Sequence, residues 1–146
     1  LGAAVLQLLH TLALLRLVVT AILLGAAFVA LGYTVSAFSR SSASAAGAAV
    51  GLWLVLVVLY DLGLLGAVVY DAGGTFTKTV FPWLLAVNPA DAFRLVNVAG
   101  SEEVALVSGM TGAAGALPAW AALLSLCLWP VAGLLLARMA FARTEP

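Results

Sequence analysis

Residues Ala43–Tyr70 read ASAAGAAVGLWLVLVVLYDLGLLGAVVY. The run starts just after Ser39-Arg40-Ser41-Ser42 and stays apolar up to Asp71, with Asp61 as its one charge. As an α-helix it reaches about 42 Å, more than the ~30 Å hydrocarbon core of a bilayer. A helix at the surface of a soluble domain needs a polar stripe to show to water, and this run has none. It reads as a membrane span, and the rest of the chain is organised around it.

Upstream, Leu17–Ser39 carries no charge and is bracketed by Arg16 and Arg40. The two arginines stand about 36 Å apart on a helix, which suits one guanidinium at each interface. Leu1–Leu15 is apolar, broken by Gln7 and His10. It reads as an interfacial segment or as outer turns of the same helix. Leu1–Phe38 as one helix would be about 57 Å, so its first third is expected to tilt, bend or lie at the surface. Residue 1 is Leu inside an apolar run, which reads as a chain continuing from an earlier segment rather than as a cleaved leader.

The short polar turn Ser39-Arg40-Ser41-Ser42 makes its two flanking helices antiparallel neighbours. Lipid gives no hydrophobic drive for helix association, so small residues are expected at the seams. Ala26/Ala30, Gly32/Ser36 and the GxxxG pair Gly47/Gly51 are the candidates.

Downstream, Asp71–Thr79 reads as turn and loop. Phe81–Val87 is apolar but only about 10 Å long as a helix, too short to cross. Asn88-Pro89-Ala90-Asp91 reads as a helix start: Asn88 caps free N–H groups, Pro89 suits the first helical position, and Asp91 opposes the helix dipole. Arg94 is spaced to pair with Asp91. Gly100 is placed to end that helix. Two short helices, near 80–87 and 89–99, are expected at the membrane surface or dipping into it. Residues 101–117 read as a loop, with Glu102, Glu103 and Met110. Pro118 opens a last charge-free span closed by Arg138, and Arg143–Pro146 is a polar tail. The reading is an all-α, polytopic transmembrane helical bundle forming a single membrane domain. Its spans lie near 16–38, 43–70 and 118–138, and segment 71–117 lies on the opposite side from the turn.

Composition agrees. The chain is 65% hydrophobic and only 8% charged, against about 25% charged in soluble domains. Zero net charge gives no footprint for nucleic acid. One cysteine, Cys127, leaves no disulfide within the chain. His10, the one histidine, has no second ligand near it in sequence. Cys127 and Met139 would be about 18 Å apart on a helix and cannot share an ion. The chain offers no HExxH, GxSxG or P-loop, so the parts for hydrolysis or nucleotide binding are missing. No metal or cofactor is expected on this chain, and it reads as a non-catalytic subunit.

Asp61 is the sharpest candidate for function, because carboxylates inside membranes are costly and mark ion or proton paths. The same residue also reads structurally, as a group near the interface facing headgroups or paired with a neighbouring helix. Asp91 and Arg94 read as a helix-start pair and as an exposed docking surface. Arg40, Arg138 and Arg143 lie on the turn side, with Arg16, Lys78 and Arg94 opposite. The positive-inside rule leans toward a cytoplasmic turn.

Three blocks carry a family resemblance: the SSASAAG turn, the LYDLGLLG run around Asp61, and PWLLAVNPADAFRLVN. Together they resemble the permease subunit of the nitrous oxide reductase maturation transporter, the NosY-type family within the ABC-2 permease class. The match is good over roughly Leu12–Gly100 and rests on hydrophobic pattern alone in the final span. The resemblance implies that this chain is the C-terminal half of a longer permease with six helices, in the bacterial inner membrane. It implies a second permease copy, a cytosolic pair of ATPase subunits that carry the ATP and magnesium, and a periplasmic β-helical partner. Asn88, Pro89, Asp91, Arg94 and Asn97 would then shape a periplasmic partner surface. Ser39, Arg40, Ser41 and Ser42 would form a cytosolic turn, with Gly47 and Gly51 packing helices. The task implied is support for building the copper–sulfur centres of the reductase, by moving copper or a sulfur species or by driving the partner. The alternatives are a generic ABC-2 exporter of a lipid, drug or polysaccharide, a membrane-embedded enzyme, and a structural anchor for a periplasmic complex.

Overall fold

The computed structural model describes residues 2–71, 74–98 and 116–142. The expectations for Gly100, Glu102, Glu103, Met110 and the tail Arg143–Pro146 lie outside them. Among the described residues the chain is all-α. Helix α1 is Gly2–Phe38, α2 is Ser42–Asp71, α3 is Phe76–Val87, α4 is Pro89–Val98 and α5 is Ala119–Phe141. Helices α1, α2 and α5 are long and apolar enough to cross a membrane.

Helix α1 is continuous over Gly2–Phe38, so the described part of Leu1–Leu15 forms further turns of the same helix. At 37 residues it is about 55 Å long. Ser41 starts α2, its hydroxyl accepting the Ser44 N–H at 3.2 Å, which turns the chain back beside α1. Helix α2 is not regular. At Val55–Leu59 it widens by one residue, and the Tyr60 N–H bonds the Val55 carbonyl five residues back.

Helix α3 begins earlier than the sequence suggests. Thr75, Thr77, Lys78 and Thr79 read as loop, yet the chain is helical from Phe76. The reason is Asp71, whose Oδ2 accepts from the Thr77 N–H at 2.8 Å and the Thr77 hydroxyl at 2.9 Å. The carboxylate at the end of α2 thus holds the first turn of α3. Gly74 lies so close that an added Cβ would come 2.9 Å from Asp71 Oδ1.

Helices α3 and α4 form a hairpin that dips into the bundle. Its tip, Asn88, meets Leu56, about 21 Å of helix from Ser42 at the turn side. The carbonyl of Val87 accepts the Trp129 indole N–H at 2.7 Å, about 18 Å from Phe141. The other end of α4, Asn97, meets Thr20, about 27 Å from Phe38. Within a ~30 Å core the hairpin therefore enters from the side opposite the turn and reaches close to the midplane. Irregular backbone at that depth is tolerated only inside protein, and Asn88 and Pro89 are indeed buried.

The apolar core surrounds this hairpin. Leu85, Ala86, Ala92, Leu95 and Val96 pack with Leu64 of α2 and with Ala122 and Leu126 of α5. A second seam joins α1 to α5 through small residues. A Cβ on Gly133 would lie 2.7 Å from the Ala30 Cβ, so the two backbones approach as closely as glycine permits. The Thr34 hydroxyl sits 2.9 Å from the Gly133 carbonyl and 3.0 Å from that of Ala30. The seam is thus Ala27, Ala30 and Gly133. Gly47 and Gly51 are exposed, and an added Cβ would meet nothing within 4 Å. The expectation that this GxxxG packs helices is not met within the described chain.

Candidate functional site

The polar groups of the bundle converge where α4 passes α2 and α1. Asn88 stands at the junction of α3 and α4, with extended backbone, and closes two structures at once. Its Oδ1 accepts the Ala90 N–H at 2.9 Å, capping α4. Its Nδ2 donates to the Leu56 carbonyl at 2.6 Å, inside the widened turn of α2. Nearby, the Tyr60 hydroxyl donates to the Leu84 carbonyl at 2.7 Å. One irregular turn on α2 is thereby matched to the break between α3 and α4 by two side chains.

One turn further out lies a charged cluster. The Nη1 of Arg94 donates to Asp91 Oδ1 at 2.7 Å and also to Asp61 Oδ2. Asp61 therefore does not face headgroups alone: it is paired with a neighbouring helix. The side chain of Asp91 is 1% exposed, against 35% for Asp61 and 39% for Arg94. Asp91 Oδ2 is buried and has no partner among the described residues. Two carboxylates thus share one guanidinium nitrogen at the far interface of the membrane.

Beyond it, Asn97 Nδ2 donates to the Thr20 hydroxyl oxygen at 2.9 Å and to the Phe93 carbonyl at 2.8 Å. Arg16 Nη2 reaches the Asn97 carbonyl at 3.3 Å, placing a cation at the C-terminal end of α4 where the helix dipole favours one.

These placements correct the idea of an exposed partner surface. Asn88, Pro89 and Asp91 are buried, because the hairpin turns their face inward onto α2 and the spans. Arg94 and Asn97 are half-buried and bound within the chain. The hairpin's exposed residues include Lys78, Thr79, Val80, Trp83 and Val87. Ser39 closes the turn, donating from its hydroxyl to the Val35 carbonyl at 2.8 Å, and Arg40 is exposed there. His10 and Cys127 are exposed on separate helices, and the described residues hold no group of metal-ligating side chains. The sequence reading missed Thr20, Thr34, Tyr60, Trp129 and the reach of Arg16. Their partners are backbone carbonyls or side chains on other elements, which no local pattern announces. An apolar groove of about 380 Å³, edged by Trp83, Trp120 and Trp129 between α3 and α5, offers no charged group.

Comparison with known proteins gives two findings. The family described as ABC-2 family transporter protein matches residues 2–145. Among curated relatives, the probable ABC transporter permease protein NosY of Stutzerimonas stutzeri is 39% identical over 130 residues, covering 88% of this chain and 47% of that protein. The protein of the same description from Pseudomonas aeruginosa is 41% identical over 130 residues, covering 88% and 46%. The chain spans about half the length of these relatives.

Proposed function

The chain belongs to the ABC-2 family of transporter proteins, and from that premise we propose that it serves in the membrane subunit of an ATP-driven transporter supporting maturation of the copper–sulfur centres of nitrous oxide reductase. The observation that carries this reading is the 39–41% identity to two NosY permeases along 88% of the chain. A multi-pass bundle in the bacterial inner membrane fits it, with three helices long and apolar enough to cross. ATP is hydrolysed on a cytosolic pair of ATPase subunits, and two permease copies complete the membrane part. The transporter moves copper or a sulfur species, or drives a periplasmic β-helical partner.

The architecture supports a division of labour. The turn side carries a short capped turn, and the opposite side carries a hairpin joined to α2 at its irregular turn. A periplasmic partner would meet Lys78, Thr79 and Trp83 rather than the buried Asn88 and Asp91.

The test is the absorption spectrum and copper content of nitrous oxide reductase from a host lacking the permease gene, before and after complementation. The reading expects loss of the copper–sulfur centre and its return. Normal maturation without the permease would overturn the maturation role and leave an ABC-2 permease of other cargo.

A further inference from the structure

We propose that Asp91 holds one exchangeable proton, because Asp61 competes with it for Arg94, so that the cluster of the three is electrically neutral while the hairpin is docked on α2. The inference rests on geometry and charge and is independent of the cargo.

The count of charges comes first. Arg94 carries one positive charge, and the same nitrogen serves both carboxylates. With both ionised, the cluster has one negative charge in excess. The other charged and titratable groups around it do not take that charge up. Helix α1 brings Arg16, which is bound to the Asn97 carbonyl one helical turn beyond Arg94. Helix α2 brings Tyr60, whose hydroxyl proton is directed to the Leu84 carbonyl. Helix α3 brings Lys78, exposed in its first turn, and α5 brings Arg138, exposed near its turn-side end. Among the described residues, the ion pairs of Asp61 and Asp91 are those with Arg94.

The second observation concerns one atom. Asp91 is 1% exposed, and its Oδ2 is buried with no hydrogen-bond partner among the described residues. A carboxylate oxygen of an ionised group in that position is costly, because neither water nor a donor reaches it. A proton on Asp91 removes both the excess charge and the buried anionic carboxylate. One guanidinium cannot neutralise two carboxylates, so the cluster takes up one proton, and the buried member holds it. Asp61, at 35% exposure, is the member in contact with the surroundings and lies against Arg94.

The docked hairpin thus binds one proton, at Asp91. Separation of α4 from α2 would take Arg94 away from Asp61 and open Asp91 to water. The Asp91 O–H bond would then break, with the electron pair left on the carboxylate and the proton passing to water on the far side. Movement of the hairpin is thereby linked to proton release.

Infrared difference spectroscopy on the full chain reconstituted in lipid, titrated between mildly acidic and alkaline pH, tests this. The wild type should show the C=O stretch of one protonated carboxyl group at neutral pH. That band should vanish in Asp91→Asn, which keeps the side-chain shape. It should also vanish in Asp61→Asn, because removing one negative charge lets Asp91 ionise against Arg94. Absence of the band in the wild type would overturn the proposal. So would its persistence in Asp91→Asn. Persistence in Asp61→Asn would show that the proton is held by burial alone, and would overturn the competition between Asp61 and Asp91 for Arg94.

Discussion

Replacing Gly133 by alanine tests the α1–α5 seam directly. The added Cβ would stand 2.7 Å from the Ala30 Cβ and 3.2 Å from the Ala30 carbonyl carbon. Carbon atoms in ordinary contact stand about 3.5–4.0 Å apart, so α1 and α5 must separate by about 1 Å. Both near atoms belong to Ala30, a buried residue with no side-chain torsion to relax. Overpacking of this kind costs about 1–3 kcal/mol. The separation also stretches the Thr34–Gly133 hydrogen bond, now 2.9 Å, and interhelical bonds in membranes average about 0.6 kcal/mol. Alanine's better helix propensity returns up to about 1 kcal/mol. The net loss is about 2 kcal/mol, roughly a thirtyfold change in the folded-to-unfolded ratio. Equilibrium unfolding in mixed micelles, followed by the signal of the buried core, measures it. The matched controls are Gly47→Ala and Gly51→Ala, where an added Cβ meets nothing within 4 Å. Those variants should be neutral or slightly stabilising. If Gly133→Ala were as harmless as the controls, the close approach of α1 and α5 would be refuted. If Gly47→Ala were the damaging one, the packing seam would lie on the outer face of α2.

Asn88 offers a separation of two roles: Asn88→Ser keeps an acceptor that can cap α4 but is too short to reach the Leu56 carbonyl, whereas Asn88→Ala loses both. We expect a loss of about 1–2 kcal/mol for the first and a clearly larger one for the second, read by the same unfolding assay. Equal losses would show that the cap contributes nothing. Trp129→Phe keeps an aromatic ring in place but removes the N–H donated to the Val87 carbonyl, and should cost about 1 kcal/mol. Hydrogen exchange at the tip of the hairpin should rise in that variant, and unchanged exchange would count against the contact.

The spans were legible because burial in lipid leaves its mark on composition. Charge-free runs between Arg16 and Arg40, and between Pro118 and Arg138, stand out in any reading of the chain. The break at Asn88-Pro89 was legible for a local reason: the cap and the proline act on neighbouring N–H groups. The pairing of Asp91 with Arg94 is local too. The third member, Asp61, lies 33 residues from Arg94, and only the docking of α4 on α2 joins them. The widened turn at Val55–Leu59 has no sequence signal at all, since VLVVL suits a regular helix equally well. Its partner, Asn88, was noticed for its cap and not for the donor on its other side. The false loop around Thr77 came from reading threonines and glycines by propensity, when the Asp71 carboxylate supplies what the helix start needs. The exposed surface assigned to Asn88 and Asp91 failed because polar residues outside the spans were assumed to face water. In this chain Asn88 and Asp91 face inward, onto the Leu56 carbonyl, the Ala90 N–H and Arg94.

Helix α1 has a mechanical consequence. Its 37 residues run unbroken from the capped turn to beyond Arg16, a rod of about 55 Å. Rotation of such a rod about its Phe38 end by about 10° carries the Gly2 end through roughly 10 Å. The same rotation displaces Thr34 and Ala30, close to the pivot, by about 1–2 Å. A displacement that the tight Ala30–Gly133 contact can just register is thus amplified at the opposite face of the membrane.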